Sequence, residues 1–182
     1  MVLDLLQIGD KAPPFSLLNY NGEEVHLSDF KGKKIILWFF PKASTPGWTV
    51  EGCGFRDEFK DFESSEYEII GISADPPKKQ KKFVEKYDFP FYMLCDESKE
   101  MLKAYKVWAL KKFMGKEYMG ILRVTYIIGA NGKIYKVYDK VKTKTHAQDI
   151  LSDIAKIWFK HHRFSFRSQH LLNAYLLGKK FK

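Results

Sequence analysis

The residues best placed to do chemistry lie in one stretch, Pro41-Lys42-Ala43-Ser44-Thr45-Pro46-Gly47-Trp48-Thr49-Val50-Glu51-Gly52-Cys53. It follows the apolar run Ile35-Ile36-Leu37-Trp38-Phe39-Phe40, which reads as a buried strand. It leads into Thr49 to Phe62, where Phe55, Phe59 and Phe62 recur at helical spacing. A strand, a Pro/Ser/Gly-rich turn and a helix therefore meet here. The first turn of such a helix offers unsatisfied N–H groups and the positive end of the macrodipole, an environment that favours an anion. A thiol there would ionise more readily than an ordinary cysteine, whose pKa is about 8.5. The first turn instead holds Trp48, whose indole carries only a donor N–H. Cys53 falls about one and a half turns into the helix, where the dipole effect has faded.

Several ordered motifs resemble the peroxiredoxins, and among them the bacterioferritin comigratory protein or PrxQ class. In that class the strand ends in Pro-x-x-x-Thr-x-x-Cys with a second Cys five residues on. Pro41, Thr45 and Cys53 match, and Trp48 stands where the first Cys would be. The resemblance also takes in Ile8-Gly9-Asp10-Lys11-Ala12-Pro13-Pro14-Phe15, Arg56-Asp57, Gly71-Ile72-Ser73-Ala74-Asp75, Phe89-Pro90-Phe91 and Gly120 to Ile128, and it reaches about residue 158. It implies a thioredoxin-like α/β fold and a peroxidase that reduces hydrogen peroxide and organic hydroperoxides with electrons from thioredoxin, without metal or organic cofactor. In that scheme the first Cys attacks the peroxide, and Arg123 lowers its pKa further. Thr45 meets the peroxide through its hydroxyl, Pro41 shields the pocket, and Cys53 resolves the sulfenic acid into a disulfide. Glu51 completes the set.

An indole cannot attack a peroxide. A buried Trp covers ~150–250 Å², so in a pocket sized for a small hydroperoxide it must fill the site or force the first turn open. The expectation is that the loop Ala43–Cys53 relaxes, with Trp48 packed on neighbouring aromatics. The chain is then a peroxiredoxin without turnover, either a natural pseudoenzyme or an engineered replacement at residue 48. The rival reading is a noncatalytic binding or scaffold protein that keeps the fold. Without its partner, Cys53 reads as a small helical hydrophobe, and Cys95, ending Phe91-Tyr92-Met93-Leu94, as a strand-end core residue.

The elements needed to position these residues are legible from pattern. Phe15–Leu18 and Glu24–Leu27 flank a hairpin turn at Asn21-Gly22. Ile35–Phe40 and Tyr67–Ser73 are central strands followed by helices. Pro76-Pro77 opens a helix to Tyr87, Phe91–Leu94 is a strand, and Glu97–Tyr105 a helix. Val124–Ile128 pairs with Lys133–Tyr138 across Asn131-Gly132, and Thr145–Phe159 is a covering helix.

The 182 residues, 45% hydrophobic, suit one globular domain at residues 1–158 and a basic amphipathic extension at 159–182. Acidic residues stop at Asp153; the seven basic residues from Lys156 to Lys182 supply most of the net +9. That tail could pack on the domain or a second subunit, giving a homodimer, or contact an anionic membrane or nucleic acid. Lys78-Lys79-Gln80-Lys81-Lys82 reads as a solvated helix face able to steer an acidic partner. His161, His162 and His170 lack metal-ligand spacing. Two distant Cys, no apolar run near ~20 residues and no secretory signature point to a cytoplasmic protein.

Overall fold

A computed structural model describes residues 4–43 and 46–161. Ser44, Thr45 and the tail from residue 162 onward, with the expectations placed on them, lie outside the described residues. Three parallel strands form the centre: β3 (Lys34–Phe39), β4 (Tyr67–Ser73) and β5 (Tyr92–Cys95). The antiparallel β1 (Ser16–Asn19) and β2 (Glu24–His26) extend one edge, and β8 (Thr125–Ile128) and β9 (Ile134–Tyr138) the other, giving the order β2-β1-β5-β4-β3-β8-β9. A separate two-stranded ribbon is formed by β6 (Trp108–Phe113) and β7 (Lys116–Ile121). The helices are α1 (Pro46–Asp57), α2 (Phe59–Ser64), α3 (Pro77–Tyr87), α4 (Glu100–Ala104) and α5 (His146–His161).

The continuous apolar run of β3 follows from its burial on both faces. Ile35, Leu37 and Phe39 join a core with Leu102, Tyr105 and Tyr126, while Ile36, Trp38 and Phe40 join a second with Trp48, Phe55, Phe83 and Ile150. Trp38 organises the second, stacking on Phe40 at 4.8 Å and tilting against Phe55 at 5.4 Å. Its six-membered ring comes so close to α1 that a Cβ on Gly52 would lie 3.0 Å from Trp38 Cη2 and 2.9 Å from Phe89 Cζ. Only glycine lets helix and strand approach this far.

The thioredoxin-like layout matches the expectation, with local differences. The helix expected from Thr49 begins at Pro46, because proline suits the first helical position, and it breaks at Glu58 into α2. The helix expected from Glu97 starts only at Glu100: the buried Asp96 carboxylate accepts the Ser98 hydroxyl and the Leu102 N–H at 3.0 and 2.8 Å, holding 96–99 as a turn. Leu27 leaves β2 for a 3-10 turn, Leu27–Phe30, where Asp29 accepts the His26 N–H. The ribbon β6–β7 was not expected, since its turn, Met114-Gly115 with both φ positive, lacks an Asn-Gly signal. Gln80 corrects the reading of the lysine run as wholly solvated. It is fully buried, and its amide donates to the Leu94 carbonyl at 3.2 Å.

Candidate functional site

Trp48 is the third residue of α1, in its first turn, as the sequence requires. The expectation of a relaxed loop from Ala43 to Cys53 fails for the residues described: α1 is helical from Pro46, and Trp48 is buried, 5% exposed, within the second core. To its place in that aromatic-rich core a cation is added. Arg123 Cζ lies 4.1 Å from the Trp48 ring centroid, a cation–π contact. A Cβ at Gly47 would sit 3.3 Å from Arg123 Nη2, so the guanidinium lies along the first turn of the helix.

Arg123 reaches this point because it sits between β7 and β8, and β8 pairs with β3, with Trp38 opposite Thr125. The end of β3 is tied down from the other side. The Ala43 N–H donates to Asp75 Oδ2 at 2.6 Å, and Asp75 also accepts from the Ser73 hydroxyl and from Lys79 Nζ at 2.7 Å. Pro41, half-buried, lies between β3 and that tether. In the sequence Asp75 stands out only as part of the motif Gly71 to Asp75; its burial just past the end of β4 comes from the fold.

Behind Trp48 lies a second layer that includes Glu51, one helical turn on and 1% exposed. Its Oε1 is 3.7 Å from His146 Nε2, which in turn is 2.9 Å from Thr125 Oγ1. Burial pushes the Glu51 carboxyl up to about 7, Arg123 and the indole N–H of Trp38 opposing. That N–H leans on the carboxylate without closing a regular hydrogen bond. Burial, and then the charge of Arg123, hold His146 neutral, its pKa lowered to about 4. Lys111, half-buried on β6, is also lowered by burial and by Arg123, and donates to the Ile121 carbonyl at 3.1 Å. His146 and Thr125 escaped the sequence reading; a His beside the apolar stripe Ala147, Ile150, Leu151 of α5 was the available signal.

The two thiols are not poised for attack. Cys53 is half-buried against the second core; desolvation raises its pKa, with Arg56 opposing. Cys95 is buried and pushed up to about 12 by burial. Arg56 forks onto Asp57 Oδ1 at 2.9 and 2.7 Å and donates to the Tyr87 carbonyl, the local ion pair expected of Arg56-Asp57.

A thioredoxin-like sheet with a strand, a turn and a helix start facing an arginine defines a peroxiredoxin-type fold. Residues 8–137 match the AhpC/TSA family, and the chain belongs to that family. It is similar to peroxiredoxin Bcp of Bacillus subtilis, 46% identical over 149 residues covering 82% of this chain and 95% of that protein. Peroxiredoxin Bcp of Escherichia coli K12 is 42% identical, over 86% of this chain and 97% of the relative. Among solved structures, peroxidoxin BcpB from Mycobacterium tuberculosis superposes with a TM-score of 0.74 at 31% identity, covering 84% of this chain and 98% of that one. A PrxQ mutant of Xylella fastidiosa gives 0.77 at 29% identity, over 82% and 95%. The chain is therefore a peroxiredoxin of the Bcp/PrxQ kind. No helix among the described residues is long and apolar enough to cross a membrane.

Proposed function

We propose that this chain is a thioredoxin-linked hydroperoxide reductase in architecture whose nucleophile position is occupied by Trp48, so that it does not turn over peroxide. The carrying observation is Trp48 itself, buried in the first turn of α1 with Arg123 at 4.1 Å from its ring. A thiolate in that turn would attack the terminal oxygen of a hydroperoxide. The O–O bond breaks, sulfur becomes a sulfenic acid, and the departing alkoxide takes a proton to leave as alcohol. Cys53 would then form a disulfide with that sulfur, releasing water, and a dithiol reductant would restore both thiols. The two positions are five residues apart on one helix, a rise of ~7.5 Å, so the resolving step needs the start of α1 to unwind. Trp48 has no sulfur for any of these steps. Cys53, raised in pKa and away from the helix start, is a poor substitute.

Peroxide consumption with thioredoxin, thioredoxin reductase and NADPH tests this reading. The unsubstituted chain is expected to match the no-enzyme rate, and Trp48→Cys to consume hydrogen peroxide with stoichiometric NADPH oxidation. Turnover by the unsubstituted chain would refute it, as would an inert but folded Trp48→Cys chain.

A further inference from the structure

Glu51 takes no step in the chemistry above, yet its placement is costly. It lies three residues after Trp48 on α1, and residues so spaced are neighbours on the helix surface. Neither carboxylate oxygen has a hydrogen-bond partner, against the rule that buried carboxylates are paired. From β3, the Trp38 indole faces it, its own Nε1 also lacking a hydrogen bond. From α5, His146 Nε2 stands 3.7 Å away, held neutral and 2.9 Å from Thr125 Oγ1 of β8. The positive charge that bears on Glu51 is that of Arg123, the same group that covers the Trp48 ring. Lys111 of β6 lies within the field of Arg123 and donates to a backbone carbonyl rather than to Glu51.

We propose that Glu51 is a positioning residue that competes with residue 48 for the Arg123 guanidinium. When ionised, Glu51 draws part of the cation's field away from the first turn of α1; when neutral, it leaves that field to residue 48. The inference rests on the reading of residue 48 given above. In this chain the contest is between a carboxylate and the negative face of an indole. With a thiol at 48 it is between two anions sharing one cation, and each then makes the other harder to ionise. The sign is fixed: removing the Glu51 charge makes a thiol at 48 more acidic.

The test follows the ultraviolet absorbance of the thiolate against pH in the full chain carrying Trp48→Cys, with and without Glu51→Gln. The unsubstituted chain is subtracted to remove Cys53 and Cys95. Gln is close to isosteric and removes only the charge, so the fold is kept. The expected result is a thiol midpoint lower by about one unit, a ~tenfold higher thiolate-to-thiol ratio at fixed pH. A midpoint that stays or rises overturns the proposal. A second measurement needs no thiol: the Trp48 emission, taken as the difference from Trp48→Phe. Because burial sets Glu51 to about 7, this emission should step near neutral pH, and the step should vanish in Glu51→Gln. A flat signal in the unsubstituted chain overturns the proposal as well. Neither readout depends on turnover. A Trp48→Cys chain that shows the shift but consumes no peroxide would remove the peroxidase reading and leave the role of Glu51 standing.

Discussion

Replacing Glu51 by Gln should change how stability depends on pH, by an amount the structure sets. In the folded chain the carboxyl is pushed from 4.5 up to about 7, burial being the larger cause and Arg123 the main opposition. The folded state thus keeps a proton that the unfolded chain releases above 4.5. That contribution is fully present below 4.5 and is lost as pH rises through about 7. At about 1.4 kcal/mol per pH unit, the shift corresponds to ~3 kcal/mol. His146 works in the opposite direction: its pKa falls from 6.5 to about 4, so its contribution is present above 6.5 and lost as pH falls through about 4. The difference between the two chains cancels His146, because both carry it in the same place. Urea unfolding at several pH values from 4.5 upward would give both curves. Relative to the unsubstituted chain, Glu51→Gln should gain ~3 kcal/mol between pH 4.5 and 8. A difference that stays flat across that interval would refute the claim that Glu51 ionises in a dry site.

Trp48→Phe keeps a ring face for Arg123 while Trp48→Leu does not, so Leu should cost ~0.5–2 kcal/mol more than Phe in denaturant unfolding; equal costs would mean that the Arg123 contact contributes nothing. Asp75→Ala strips the Ala43 N–H and the Ser73 hydroxyl of an acceptor and Lys79 of its counter-ion. It should lower stability by ~1–3 kcal/mol, and Asp75→Asn, which keeps an acceptor, by less. Alkylation followed by mass spectrometry at neutral pH should label Cys53 more slowly than a free small-molecule thiol, and Cys95 only after unfolding, since burial raises both thiols.

Much of this arrangement is written locally in the sequence. The run Ile35 to Phe40 reads as a buried strand by its length and its position before a Pro/Ser/Gly-rich turn, and Pro46 with Gly47 places Trp48 at a helix start. Arg123 was legible only through the motif Gly120 to Ile128, because the contact joins residues 75 positions apart, brought together when β8 pairs with β3. Asp75, Thr125 and His146 were less visible still. Each is a polar residue whose partner lies on another element, so composition and periodicity mark it as turn, strand or helix and say nothing of its burial. The ribbon β6–β7 escaped because Leu110-Lys111-Lys112 and Tyr118-Met119 alternate weakly, and Leu110 and Met119, opposite each other, are both exposed. A strand without a buried face leaves little periodic signal.

The helical start of α1 from Pro46 around Trp48, where a relaxed segment is expected, follows from which group meets the ring. Side chains in a helix point back toward its N-terminus, which in α1 carries Trp48 toward the guanidinium that lies along Gly47. A guanidinium is a partner for the negative face of an aromatic ring. The indole therefore satisfies the cation without offering it a charge, and Gly47 leaves the guanidinium room beside the backbone. An aliphatic residue of similar bulk would fill the space and leave Arg123 half-buried without a partner at that face. Tryptophan at this position thus keeps the electrostatic balance of the turn, and the start of α1 and the Asp75 tether to Ala43 stand around it.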